Sequence, residues 1–279
     1  MDMGDFSDQA ACLQREWGTS PRWAGIQRDY RAEAVIRLRA SLTGDHAPAR
    51  RNACQLWDRL SCEDSMRAFG DGTPAVPASP SPDLDPSEQM KTMIAAGAAG
   101  VPFEDRLPSP AGSGQPGRSV LIPTGEHIAT LTAARLMADA LNVPTLLIAR
   151  TYAHEASLLT SDADERDHEF LTGERTAEGL HRVQPGPYAR VTRALAFAPY
   201  ADLLWLEAPA PNLDEARAFA NIIYSQYPGK LLAYSCSPSF DWAQLDDASI
   251  AQFQDALAAL GYRLQVTTAT SQQFAVAAA

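Results

Sequence analysis

Residues 202–234 read DLLWLEAPAPNLDEARAFANIIYSQYPGKLLAY, and this stretch decides the fold class. An apolar run at 202–206 is followed by a helical pattern at 213–226 and by a second apolar run at 230–234. Asn212 precedes the helical pattern, where its side chain is suited to capping the helix N-terminus. A strand, a helix and a strand in this order predict a βαβ unit with two parallel strands.

The same rhythm extends to both sides of this unit. Further apolar runs lie at 98–103, 145–149 and 263–268, and further helical patterns lie at 127–142 and 247–260. Runs that are apolar on both faces and joined through helices predict parallel strands. A doubly wound sheet and a (β/α) barrel both fit five such strands, and in both folds the chemistry lies at the carboxyl ends of the strands.

Composition divides the chain into three parts. Residues 1–69 form a helical segment, in which the pattern at 30–42 places Ala34, Val35, Leu38 and Leu42 on one face. Residues 70–86 are rich in proline and read as a linker. Residues 87–279 form the α/β domain.

Charge and composition exclude several classes of protein. The chain has 279 residues, of which 46% are hydrophobic, and a net charge of -11, which disfavours nucleic acid and anionic membranes as partners. There is no apolar run of about 18 residues, and we expect a cytoplasmic protein. The four cysteines show neither a zinc-site spacing nor a disulfide framework; they are Cys12, Cys54, Cys62 and Cys236.

Polar residues follow each predicted strand and form the first set of candidate site residues. Carboxylates, an arginine and hydroxyl groups at one rim suit a small polyanion held with a divalent cation. Strand ends are also polar simply because they meet solvent, so the pattern alone leaves both interpretations open. The residues are Glu104, Asp105, Arg150, Thr151, Glu207, Ser235, Cys236, Ser237, Pro238, Ser239 and Thr268.

Four longer strings around these residues resemble the isocitrate lyase family. They are VLIPTGEH at 120–127, VPTLLIART at 143–151, LTSDADERDHEFLTGERT at 159–176 and LAYSCSPSFDW at 232–242. The N-terminal segment is similar to the same family at SPRW (20–23). The resemblance covers residues 13–60 and 87–268, and the chain is identified as a truncated and divergent member of the isocitrate lyase and phosphoenolpyruvate mutase superfamily.

The resemblance implies a magnesium-dependent (β/α) barrel, normally tetrameric, that splits isocitrate into glyoxylate and succinate in the glyoxylate bypass. It places Arg150 on a substrate carboxylate, Glu104 in the metal shell and Glu207 close to the site. The loop from Ser235 through Cys236, Ser237 and Pro238 to Ser239, together with Thr268, would bind the second product. Within this loop, Cys236 is interpreted as a packing residue rather than a nucleophile.

The chain departs from the family pattern where the chemistry would occur. The family's Lys-Lys-Cys-Gly-His segment reads Ala-Gly-Ser113-Gly114-Gln115 here, so Ser113 replaces the proton-donating cysteine, and the two lysines and the histidine are replaced as well. Gly114 and Gln115 stand at positions that the resemblance places in contact with the substrate. An alcohol holds its proton too tightly to replace a thiol. Tyr152 and Ser235 replace an aspartate and an asparagine, and each change is expected to remove a polar contact.

A segment is also missing. Between Leu60 and Ser87 the family has its first three barrel strands, with the glyoxylate loop and the magnesium aspartates, which puts magnesium binding in question here. Five of eight strands predict an incomplete barrel that cannot close alone and that exposes two strand edges and an apolar flank.

We expect His154, His168 and His181 to be solvated.

Three functions remain open. The first is a degenerate lyase with little or no activity. The second is a non-catalytic partner of a full-length lyase, and the third is a lyase that acts on another small dicarboxylate. A small dicarboxylate or tricarboxylate is the expected ligand, and either a homo-oligomer or a hetero-oligomer is compatible with the exposed sheet edges.

Overall fold

The computed structural model describes residues 3–42, 44–61, 66–67, 76, 84–107, 119–237 and 240–266. The N-terminal part contains α1 (Met3–Thr19), α2 (Ala32–Arg39) and α3 (Ala47–Ser61), with a 3-10 turn at Pro21–Trp23. It is followed by α4 (Pro86–Ala95), α5 (Thr124–Ala140), α6 (Pro187–Phe197), α7 (Leu213–Gln226) and α8 (Asp247–Ala259). The predicted N-terminal helical segment is confirmed, whereas most of the predicted linker at 70–86 lies outside the described residues.

The strands, in chain order, are β1 (Met66–Arg67), β2 (Gly100–Glu104), β3 (Val120–Leu121), β4 (Leu146–Arg150), β5 (Leu158–Leu159), β6 (Leu171–Arg175), β7 (His181–Val183), β8 (Leu203–Ala208), β9 (Leu231–Cys236) and β10 (Tyr262–Val266). The main sheet has the order β1-β10-β9-β8-β4-β2, and all neighbouring strands are parallel. The remaining strands form a small sheet in the order β3-β5-β7-β6. All five predicted strands of the main sheet are confirmed, to within about two residues at each end.

The main sheet is an open part of a barrel. From β2 to β10 the strands follow chain order, and β1 pairs with β10, the adjacency of first and last strands in a closed (β/α) barrel. Among the described strands, β1 and β2 are the two edges and do not pair with each other. The predicted incomplete barrel is therefore confirmed. The sequence missed β1, because two residues carry no periodicity.

The two faces of the sheet pack against different helices, because side chains alternate along each strand. Leu147, Leu204 and Leu232 face the core shared with the helices that follow the strands. Leu146 and Leu203 lie on the opposite face and pack against α3. The α3 residues in this contact are Ala53, Leu56 and Leu60. All eight of these residues are at most 1% exposed. The expectation of an exposed apolar flank is therefore wrong for this face, because α3 covers it.

Two local predictions have opposite outcomes. The Asn212 cap of α7 is confirmed, since its Oδ1 accepts a hydrogen bond from the Glu215 amide at 3.0 Å. The apolar face predicted for residues 30–42 is partly wrong, because Leu38 is 36% exposed while Ile36 is buried. Ile36 packs with α1, which a pattern confined to one helix does not reveal.

In the described ranges, no helix has the length and apolar character needed to cross a membrane.

Candidate active site

Three charged side chains meet at the carboxyl ends of adjacent strands. Glu104 ends β2, Arg150 ends β4, and Glu207 lies one residue before the end of β8. The register pairs Glu104 with Arg150 directly, and β8 is the next strand of the sheet. The structure thus brings together three of the residues that were selected from the strand ends, and we call this group the rim triad.

Arg150 is held between the two carboxylates of the rim triad. Its Nη1 atom lies 3.3 Å from Oε1 of Glu104, and its Nη2 atom forms an ion pair with Oε2 of Glu207. The Arg150 side chain is 16% exposed, so this charge is only partly desolvated. Because both carboxylates compensate the guanidinium, a substrate carboxylate reaches it only in competition with them.

Glu104 is engaged on both of its oxygen atoms. Nε of Arg106 lies 2.9 Å from Oε2, and the hydroxyl of Tyr152 donates to Oε1 at 3.2 Å. The Tyr152 ring also stacks beneath the Arg106 guanidinium at 3.5 Å. Burial, together with the negative charge of Glu104, raises the pKa of the Tyr152 hydroxyl, although the nearby Arg150 opposes this shift.

Tyr152 therefore does not simply remove a polar contact, and that expectation is wrong. Its hydroxyl supplies a donor where the family is expected to have an aspartate acceptor. A tyrosine at this position gives Glu104 a neutral hydrogen-bond partner in place of a second carboxylate. The substitution changes the chemistry of the rim rather than leaving a gap.

A resident magnesium ion does not fit the rim as the structure describes it. Magnesium demands octahedral coordination by oxygen atoms, and no group of three or more His, Cys, Asp or Glu side chains that could hold a metal occurs among the described residues. Both Glu104 and Glu207 are instead ion-paired to arginine. In this part of the chain, guanidinium groups occupy the carboxylates that a cation would need.

The end of β9 divides the predicted product-binding loop between two faces. The hydroxyl of Ser235 accepts a hydrogen bond from Nε1 of Trp205 at 2.8 Å, so its side chain lies on the same face as the rim triad. Cys236 points the other way, into the core beside Tyr234, and burial raises the pKa of its thiol to about 11. This placement and shift agree with packing rather than nucleophilic chemistry.

The backbone amide of Ser237 donates to the carbonyl of Ala208, which fixes the start of this loop beside the end of β8. The other predicted site residues lie outside the described residues. They are Ser113, Gly114, Gln115, Pro238, Ser239 and Thr268.

Asp105 and Thr151, also selected from the strand ends, belong to a buried support network. Asp105 is 0% exposed and accepts hydrogen bonds from the Thr151 hydroxyl at 2.5 Å and from Nε of Arg193 at 2.8 Å. Nη1 of Arg193 lies 2.7 Å from Asp167, which in turn caps Thr124 at the start of α5. This network joins β2, β4, α5 and α6, and so fixes the backbone that carries Glu104 and Arg150.

Sequence reasoning missed Arg106, Trp205 and Arg193, which contact the site or its support. Trp205 lies inside the apolar run at 202–206, so the sequence offered no signal that separates it from an ordinary core position. Arg193 lies on α6, a helix that the sequence analysis did not predict. Arg106 could have been selected from the sequence, because it lies two residues after Glu104, at the end of a predicted strand.

The histidines have mixed outcomes. The side chain of His154 is only 10% exposed and stacks on Tyr152 with ring centroids 6.5 Å apart, so its prediction as solvated is wrong. Burial, aided by Arg190 and Arg150, lowers the pKa of His154 to about 4. His181 is buried as well, whereas His168 is exposed as predicted.

A family model described as "Isocitrate lyase family" matches this chain over residues 88–174 and 172–278. Isocitrate lyase 1 of Mycobacterium tuberculosis (strain ATCC 35801 / TMC 107 / Erdman) is 38% identical over 335 residues, covering 92% of this chain and 78% of the relative. The chain belongs to the isocitrate lyase family. Isocitrate lyase of Escherichia coli (strain K12) is 39% identical over 342 residues, again covering 92% of this chain and 79% of the relative.

These alignments are longer than the 279 residues of this chain, so they include positions at which this member of the isocitrate lyase family has no residue. Such positions agree with a truncated member. Its other departures lie in the residues themselves, such as Tyr152 beside Glu104.

Solved structures of the superfamily also match. 2,3-Dimethylmalate lyase matches with a TM-score of 0.46 and 17% identity, over 84% of this chain and 62% of that one. Phosphoenolpyruvate phosphomutase of Streptomyces platensis subsp. rosaceus matches with a TM-score of 0.45 and 18% identity, over 74% of this chain and 58% of that one. This chain thus spans about three fifths of the length of these structures.

Proposed function

We propose that this chain is a degenerate isocitrate lyase family protein that has little or no lyase activity and retains part of the carboxylate-binding side of the site. The observation that carries the proposal is the pairing of the rim triad. Glu104 and Glu207 are both ion-paired to Arg150, and Arg106 and Tyr152 complete the contacts of Glu104. No carboxylate of the triad remains in the open arrangement that a magnesium-bound substrate needs.

The expected family reaction needs three things from the protein. A base must take the hydroxyl proton of isocitrate, the carbanion left on succinate must be stabilised, and an acid must protonate it. Ser113 stands at the acid position, and an alcohol is a far weaker acid than the cysteine thiol that it replaces. The loss of acid and metal together is expected to lower the rate by at least about four orders of magnitude.

A steady-state assay of the purified full chain with isocitrate and magnesium tests this proposal. The isocitrate lyase of Escherichia coli serves as the positive control under the same conditions. We expect glyoxylate formation at least about 10⁴-fold slower than in the control. A turnover within tenfold of the control would overturn the proposal.

Ser113→Cys separates the two losses. If acid and metal binding are both missing, restoring the thiol alone leaves the rate unchanged. A variant that gains most of the control's activity would mean that only the proton donor was lost and that the rest of the site works.

The open sheet favours a second candidate function, a non-catalytic subunit of a complex with a full-length lyase. Among the described strands, β1 and β2 are unpaired edges of a parallel sheet, and such edges are templates for association. Co-expression with a full-length lyase of the same source, followed by size-exclusion chromatography, tests it. Co-elution in a fixed ratio supports the candidate, and separate elution removes it.

A further inference from the structure

A cavity of about 330 Å³ lies at the amino ends of β8 and β9, at the opposite end of the sheet from the rim triad. Its lining includes Arg22, Trp57, Asp202, Tyr227 and Lys230. Asp202 and Lys230 immediately precede β8 and β9. Lys230 and Ser235 lie on one strand about 17 Å apart, so this cavity is separate from the candidate active site.

Lys230 is the cation that characterises this cavity. Within the part of the chain that the structure describes, its Nζ atom donates one hydrogen bond, to the carbonyl of Ala201 at 2.9 Å, and an ammonium group has three donors. Burial, together with the positive charges of Arg135 and Arg22 and against the opposing effect of Asp202, lowers the pKa of Lys230 to about 8. The amine therefore lies in a partly desolvated place where a bound anion would favour its charged form.

The one carboxylate that faces Lys230 is already committed to other groups. Asp202 pairs with Arg22 at 2.5 Å and with Arg135, and it accepts the amide of Leu147 at 2.7 Å. Asp139, the next carboxylate near Arg135, pairs with Arg28 at 2.7 Å.

Four cations, at Arg22, Arg28, Arg135 and Lys230, thus meet two carboxylates, Asp202 and Asp139, which leaves a local excess of positive charge in a chain whose net charge is -11. Local charge excess of this sign attracts anions irrespective of the negative net charge.

We propose that this cavity, which Trp57 and Tyr227 also line, is a binding site for a small oxyanion, a phosphate or carboxylate group, held on Lys230. The volume is at the lower limit for small-molecule sites, which suits a small metabolite rather than a cofactor. Arg22 contributes charge to the site while it stays paired with Asp202 and stacked on Trp57 at 4.4 Å. The site does not depend on the proposed loss of lyase activity.

The lysine content of the chain allows a sharp test. Lys230 and Lys91 are the only two lysines, and Lys91 is exposed on α4 with a side chain that is 47% accessible. Trace acetylation of the full chain at pH 8, followed by mass spectrometry, gives the labelling of Lys230 relative to Lys91 as an internal control. Inorganic phosphate, succinate and potassium chloride are compared at matched ionic strength.

We expect phosphate or succinate, but not chloride, to lower the Lys230 to Lys91 labelling ratio at least about threefold, because a bound anion keeps the amine protonated. The anion that protects more strongly identifies the phosphate or carboxylate source. Calorimetry of the same anions is expected to show at least about tenfold weaker binding to Lys230→Met, with Lys91→Met unchanged and Lys230→Arg retaining binding.

Equal labelling ratios in all three salts would overturn the proposal, and so would equal affinity of the native chain and Lys230→Met. If Lys230→Met fails to fold, the labelling of the native chain still decides the question.

Discussion

Two charged networks lie side by side at the carboxyl ends of the strands, and they differ in burial. In the support network, Arg193 joins Asp105 and Asp167, and these side chains are at most 2% exposed. In the rim triad, Arg150 joins Glu104 and Glu207, and these side chains are 10–17% exposed. Buried charges persist only when fully paired, whereas partly exposed ones exchange partners at lower cost.

The comparison is sharpest for Glu104 and Asp105, which are adjacent carboxylates with different roles. Consecutive side chains at a strand end point to opposite sides of the sheet. Asp105 is therefore enclosed between the sheet and α6, and Glu104 faces the rim. The support network therefore fixes the backbone at the strand ends, whereas the side chains of the rim triad remain accessible to a ligand.

The largest expected effect comes from breaking the support network. Arg193→Met leaves Asp105 and Asp167 buried without a counter-charge, and it is expected to lower the free energy of unfolding by about 3–5 kcal/mol. Urea unfolding at pH 7 measures this loss. Arg182→Met is the matched control, because the Arg182 side chain is 44% exposed and its loss is expected to cost less than about 1 kcal/mol. Equal effects would show that the support network does not stabilise the fold.

The next effect is a pH dependence that arises beside the support network. His127 is 0% exposed, and neither ring nitrogen has a hydrogen-bond partner among the described residues. Burial lowers its pKa to about 4; Arg193 adds to this lowering, and the negative charges of Asp105 and Glu104 oppose it. Below about pH 6.5, His127 is protonated in the unfolded chain but stays neutral in the folded chain. The free energy of unfolding therefore falls by roughly 3 kcal/mol as the pH drops from about 6.5 to 4.

Urea unfolding of His127→Phe across this range measures the contribution, because the variant loses that part of the slope. His154→Phe at the rim is the comparison, and it is expected to lose a similar part of the slope, because burial lowers the pKa of His154 to about 4 as well. An unchanged slope in His127→Phe would contradict the assignment.

Glu207→Gln acts on the rim triad itself. Removing one of the two carboxylates that hold Arg150 frees the guanidinium for an added carboxylate. Succinate affinity measured by calorimetry is therefore expected to rise about tenfold. Asp162→Asn, at a carboxylate that is 48% exposed and outside the rim triad, is expected to leave it unchanged. Weaker or unchanged binding in Glu207→Gln would mean that Glu207 does not compete for Arg150.

The smallest effect is expected for Tyr152→Phe. This change removes the hydrogen bond to Glu104 and keeps the ring beneath Arg106, so it is expected to lower the free energy of unfolding by about 0.5–1.5 kcal/mol. Thermal unfolding compares it with Tyr188→Phe, at a tyrosine that is 64% exposed. A loss no larger than that of the control would show that the hydroxyl contributes nothing to the rim.

Much of the fold was predictable, because its signals are local. The apolar runs and the Asn212 cap are read from a few consecutive residues, and each is present in the structure. The strand β1 was missed because its identity lies in its pairing with β10, at Met66 with Leu264, and not in its own two residues.

Part of the site was predictable for a geometric reason. Parallel strands bring their carboxyl ends to one edge, so Glu104, Arg150 and Glu207 could be grouped from sequence. The same reasoning could not separate Asp105 from Glu104, since that depends on Arg193, which lies 88 residues away in the chain. His154 was assigned to solvent because its stacking on Tyr152 and its closeness to Arg190 exist only in the folded chain.

The family, the order of the strands along the chain and the replacement of the family's cysteine by Ser113 can all be read from the sequence. Only the tertiary structure shows that two carboxylates hold Arg150, that α3 covers the sheet face that carries Leu146 and Leu203, and that Lys230 lines a cavity. Burial and charge pairing join residues far apart in the chain, and desolvation depends on everything that surrounds a group. No local pattern of residues encodes that environment.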